Sequence, residues 1–125
     1  MSDIENKLKE IKIENFIWII YIGIIILSFY SNNLEKNYFL YNDIDSKNKY
    51  RKIMILIFTI LIFVYLYFFK DSYDSLKSLK YSDSSKKKRL NELSFLASTL
   101  ILISGIIFLY IAYNDQDIDV ELAFN

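Results

Sequence analysis

A chain of 125 residues has room for one domain, and 54% of this one is hydrophobic. The apolar residues gather into three blocks set apart by charged segments, the distribution of a membrane chain and not of a water-soluble globule. Fifteen basic residues balance fifteen acidic ones, which excludes the net basic domain that bulk nucleic-acid binding requires. With no Cys, His or Pro, the chain lacks disulfides, thiolate chemistry, the commonest general base and metal ligand, and proline kinks.

The first thirteen residues are expected to form a helical extension. Ser2 and Glu5 have capping-box spacing, Asp3–Lys7 and Glu5–Lys9 are i,i+4 pairs with the acid first, and Ile4, Leu8 and Ile11 make an apolar stripe. A first span follows over 14–32, with its core FIWIIYIGIIILSFY from Phe16 to Tyr30. Its ten strongly apolar residues contribute roughly −5 kcal/mol on the insertion scale. Ser28-Phe29-Tyr30-Ser31-Asn32 offers no small-x-small cleavage pattern, so the span is expected to stay as an anchor.

Residues 33–50 read as a polar loop whose Tyr38, Phe39 and Tyr41 dip into the lipid interface. The second span, 51–70, holds the charge-free run IMILIFTILIFVYLYFF between Lys52 and Lys70. It sits near the lower limit of about 17 residues for a crossing, and snorkelling lysines make that length workable. Thr59 is its one clearly polar residue, expected to hydrogen-bond across to the third span.

Residues 71–91 form a basic loop. Phe69, Tyr73, Leu76 and Leu79 keep helical spacing, with Asp74 three residues before Lys77, so helix two is expected to run past the membrane and pack its stripe on Ile4, Leu8 and Ile11. Tyr81-Ser82-Asp83-Ser84-Ser85 reads as a turn in which Ser84 or Ser85 caps the third helix. Lys86, Lys87, Lys88 and Arg89 then stand at that helix's start, against its dipole, as a topology signal and a contact for anionic lipid headgroups.

The third span, 92–113, carries a stripe of mostly small residues at three-four spacing: Ser94, Ala97, Ser98, Ile101, Ser104, Gly105, Phe108 and Ala112. Small residues let helix backbones approach in lipid, so this is the expected helix-packing face, within the chain or against another. Its three serines make too thin a polar stripe for a water-lined pore to be the first expectation. The tail, 114–125, alternates acids with Ile118, Val120 and Leu122, suiting an extended or solvated segment. It fails as an EF-hand, whose sixth position must be Gly and is Val120 here.

Helices apolar on all sides belong in lipid, and a chain this short has no interior for three of them. Membrane strands would alternate and be half as long. Aromatic residues mark the span ends: Trp18 and Tyr21, Phe29 and Tyr30, Tyr65 to Phe69, Tyr110 and Tyr113. One side would carry ten basic residues, Lys7, Lys9, Lys12, Lys70, Lys77, Lys80 and Lys86 to Arg89; the other would carry five, Lys36, Lys47, Lys49, Arg51 and Lys52. The positive-inside rule therefore predicts a cytoplasmic N-terminus and an external C-terminus.

The expected fold is an all-α integral membrane three-helix bundle, N-in and C-out, with helices 1 and 2 extended into the cytosol. It is expected as a single membrane domain, multi-pass, in the cell membrane. No Asp, Glu, Lys or Arg lies in the apolar runs between Glu14 and Glu35, Lys52 and Lys70, and Glu92 and Asp115, which argues against proton relays, ion pumps and intramembrane proteolysis. Two glycines, Gly23 and Gly105, cannot build a phosphate-cradling loop. No catalytic, cofactor or metal residue is expected. The expected partners are the lipid bilayer, anionic headgroups, and a second copy or a larger membrane protein met through the third span. The expected role is a non-enzymatic accessory subunit of a membrane complex. Small size and few spans also resemble phage-holin pore formers. In that family three-span members hold a basic C-terminal tail in the cytoplasm, whereas this tail is acidic and predicted outside. A toxin-immunity protein of the membrane is the remaining alternative.

Overall fold

The computed structural model describes residues 2–122, with side chains from residue 3 onward. It is all-helical, and its three helices are α1, Ser2–Tyr41, α2, Ile44–Lys77, and α3, Ser85–Asn114. At 1.5 Å per residue these rods are about 60, 51 and 45 Å long, against a hydrocarbon core of about 30 Å. All three are long and apolar enough to cross a membrane, and the set is compatible with a membrane helical bundle. Of the most apolar stretch of each helix, 28% is buried in α2 and only 11% in α1 and in α3. Apolar surface left open on that scale is a liability in water and the normal state of a span in lipid.

The described residues divide into two compact units, one ending at residue 53 and the other beginning at residue 54. In the first unit α1 turns into α2 through two residues. Asn42 takes a left-handed φ of 52°, the conformation that ends a helix and that Asn tolerates best after Gly. Asp43 then caps α2: its carboxylate accepts from the Asp45 amide at 3.2 Å and from the Ser46 hydroxyl at 2.8 Å. The Ser46 hydrogen bond is the main reason its carboxyl titrates below the ordinary range. Lys47 lies 5.2 Å from the Tyr38 ring centre, tying the end of α1 to the start of α2.

The stretch 33–50, expected as a loop, is therefore helical in all but Asn42 and Asp43. Polar residues such as Asn33, Lys36 and Asn37 permit helix where nothing better competes, and an Asn-Asp turn needs only two residues to reverse the chain. The Ser2 side chain of the expected capping box lies outside the described residues.

In the second unit α2 and α3 run antiparallel. Phe58 stacks on Phe108 at 5.4 Å, while Phe69 and Tyr73 meet Phe95 at 5.2 and 5.8 Å. Residue numbers fall along α3 as they rise along α2. The buried line of this part of α2 is Met54, Ile57, Phe58, Leu61, Val64 and Ser72, spaced as one helix face. As expected, the turn precedes α3 and Ser84 caps it, its hydroxyl accepting from the Lys87 amide at 3.1 Å. Helix two does continue past its apolar run, to Lys77; there Lys70 pairs with Asp74 at 3.9 Å and Lys77 lies over Tyr73 at 5.3 Å.

Past α3 the tail turns instead of extending. The Asp115 carboxylate accepts from the amides of Asp119 at 2.9 Å and Val120 at 2.8 Å. Between them Ile118 sits at a φ of 58°, a strained conformation for a β-branched residue that these two bonds help to hold. Leu122 ends buried. Asp115 therefore centres a turn at the start of the tail; Ala123 to Asn125 lie outside the described residues.

Phe58 is fully buried and stacked. Phe58→Ala should destabilise the folded chain by about 3 kcal/mol, read as a shift in unfolding with increasing SDS in mixed micelles, because the lost ring contacts leave a void in the packing.

Candidate functional site: the packing face of α3 and its basic start

Gly105 sits directly against α2. A Cβ built there would lie 2.9 Å from Cδ2 and 3.1 Å from Cε2 of Tyr65, with Ile62 at 3.6 Å. Ring carbons that near leave no room for a methyl group, so glycine is what lets the two helices approach. Gly23 is the opposite case, with nothing within 4 Å of the same atom.

Around Gly105 the expected face divides. Gly105 and Ala112 are buried and Ser98 and Phe108 half-buried, whereas Ser94, Ala97, Ile101 and Ser104 are exposed. The inward line of α3 is instead Phe95, Ser98, Leu102, Gly105, Leu109 and Ala112, each half-buried or buried. Its steps of three and four repeat every seven residues, the seam of an antiparallel helix pair. Residue size was the signal used on the sequence, and it rotated the face by about one residue. The seven-residue spacing of Phe95, Leu102 and Leu109 would have found it.

Four hydroxyls of the apolar stretches are satisfied locally. Thr59 donates to the Ile55 carbonyl at 2.7 Å, not across to the third helix as expected. Ser28, Ser31 and Thr99 likewise donate to carbonyls three or four residues back, at 2.8, 2.9 and 2.8 Å. In an apolar setting the nearest carbonyl of the same helix costs no rearrangement, and it wins.

The basic start of α3 is organised by Asp83, a residue of the turn whose contacts with Lys80 and Lys87 spacing alone does not single out. Its carboxylate accepts from the Lys80 amide and, at 3.2 Å, from the Lys87 ammonium. The Lys80 bond is the largest cause of its carboxyl titrating below the usual 3.8, with Lys87 adding to it. Lys88 donates to the Tyr81 carbonyl at 3.1 Å and lies over the fully exposed Tyr81 ring at 5.3 Å. So two of the four cations close the turn, an acid and a capping serine offset the dipole conflict, and Lys86 and Arg89 are exposed. Among the described residues, no group of three Asp or Glu is placed to hold a metal ion.

The fold and this site define a class, the small all-helical proteins with three helices able to span a membrane. No protein-family model matches the chain, and no curated protein or solved structure does either.

Gly105→Ala should destabilise the chain by about 1–3 kcal/mol through overpacking against Tyr65. Gly23→Ala should be neutral or gain up to about 1 kcal/mol from helix propensity; unfolding in mixed micelles compares the two. The Asp83 contacts hold at and above the ordinary carboxylate range and are lost as the pH falls through its lowered value. The Lys80 amide resonance should therefore titrate with a midpoint below 3.8, and Asp83→Asn should abolish that titration.

Proposed function

We propose that this chain is a three-span protein of the cell membrane, N-terminus in the cytoplasm and C-terminus outside, acting as a non-enzymatic accessory subunit of a larger membrane complex. The observation that carries this reading is the divided face of α3. One line of it closes on α2, and the adjacent line of Ser94, Ala97, Ile101 and Ser104 is exposed. Small residues facing lipid give up packing that a neighbouring helix would supply, so such a line suits a second helix at close range. Apolar runs without a single Asp, Glu, Lys or Arg suit assembly better than transport or chemistry.

On the same reading Lys86 and Arg89, at the cytoplasmic start of α3, contact anionic headgroups. Each basic residue near a charged leaflet is worth on the order of 1 kcal/mol of attraction. That attraction reinforces the orientation set by the ten-to-five division of basic residues.

The test is affinity capture from native membranes in mild detergent, with wild type beside Ser104→Leu. A stoichiometric membrane partner that is recovered with wild type and lost with Ser104→Leu supports the reading. Recovery of no stoichiometric partner, or one indifferent to Ser104→Leu, counts against it. Loss of membrane potential on induced expression would replace it with pore formation.

A further inference from the structure

α1 carries a second seam, exposed along its length. Ile4, Leu8 and Ile11 are 61%, 59% and 46% exposed. The line they begin continues with the same alternation of three- and four-residue steps through Asn15, Trp18, Ile22, Ile25 and Phe29, all of them exposed. A strict heptad pattern over four turns of the repeat is the spacing of a coiled coil. Any line on a span is apolar; here the polar extension singles one out, because residues 3–13 are otherwise mostly charged or amide.

Lipid cannot be the occupant along its whole length. α1 is one unbroken helix from Ser2 to Tyr41 without proline, so Ile4 stands about 15 Å beyond Glu14 along the span's axis, clear of the headgroups. An apolar stripe carried straight out into water is satisfied by another helix.

We propose that this seam joins α1 to the α1 helices of other copies of this chain in a parallel coiled coil. Copies inserted with one orientation in one bilayer are parallel by necessity, which is the arrangement a continuous seam from water into lipid needs. The pattern assigns Leu8, Asn15, Ile22 and Phe29 to the first core position of the heptad, and Ile4, Ile11, Trp18 and Ile25 to the second. Asn15 thus falls where a lone buried amide fixes register, at the boundary between water and lipid. Ile at the second core position disfavours two strands and favours three or four. The area is adequate: eight seam side chains leaving on the order of 100 Å² each come to about 800 Å² per copy, one partner's share of a standard interface. The register creates one charged flank pair, Lys7 against Lys12 of the neighbouring copy, and it is like-charged.

The inference needs no larger partner, so it stands or falls apart from the accessory role. The chain has no cysteine, and purified full-length protein in lipid vesicles can carry one at a time. Leu8→Cys and Ile11→Cys should give mostly covalent dimer on oxidation. Asn6→Cys and Lys9→Cys, on the back of the helix, should give little. Native mass spectrometry from nanodiscs should find three or four copies, reduced to one by Leu8→Asp with helix content unchanged. Lys7→Glu, which turns the flank pair attractive, should tighten association several-fold. A monomer, an assembly of two, an assembly that survives Leu8→Asp, or crosslinking equal on both faces would each overturn the proposal.

Discussion

Hydrocarbon offers no hydrogen-bond partners, and the rest of this structure follows from that. A backbone crossing it must satisfy its own amides and carbonyls, which helices do within one segment. The side-chain hydroxyls obey the same demand. Thr59, Ser28, Ser31 and Thr99 each spend their donor on a carbonyl of their own helix. With these four donors used within their own helices, the contacts seen between helices in the apolar stretches are those of surface fit.

That fit is concentrated where α2 and α3 are close. The stacked Phe58 and Phe108, the paired rings of Phe69, Tyr73 and Phe95, and the contact of Gly105 with Tyr65 lie at different levels of one hairpin. Large rings on one helix meet a mixture of rings and small residues on the other. In lipid this interdigitation carries dispersion energy without any gain from excluding water, so shape decides the alignment. Polar residues act outside those stretches. Asp43, Asp83 and Asp115 each sit at a helix end, and each carboxylate accepts from backbone amides of its own turn. Three acids thus set the chain reversals, while ring packing sets the alignment between them.

The helices were legible because their signal is length and uniform apolarity, which need no knowledge of neighbours. The turn before α3 and its Ser84 cap were legible for a similar reason, being local chemistry. Where structure and sequence expectation differ, the deciding information is not local. The inward face of α3 depends on what Tyr65 and Phe69 of α2 present to it, so small residues alone pointed slightly to one side of the true line. Thr59 bonds within its own helix because the Ile55 carbonyl is one turn away, whereas a partner on another helix depends on packing that sequence does not display. The stretch 33–50 was read as a loop because its polar residues look like one. Nothing in composition distinguishes a polar loop from a polar helix end once a two-residue turn is enough. Asp115 was read as one acid in a series, though its position one residue past α3 makes it the cap of the tail's own turn.

The brevity of Asn42-Asp43 bears on how such a chain is made. With α1 helical to Tyr41 and α2 helical from Ile44, no slack separates the two. During synthesis neither can be threaded to its final depth while the other waits, since the joint between them has no length to give. The two would therefore have to enter a bilayer as a single event. Lengthening that joint would uncouple the two insertions, and the cell's membrane-insertion machinery would then face two separate decisions in place of one.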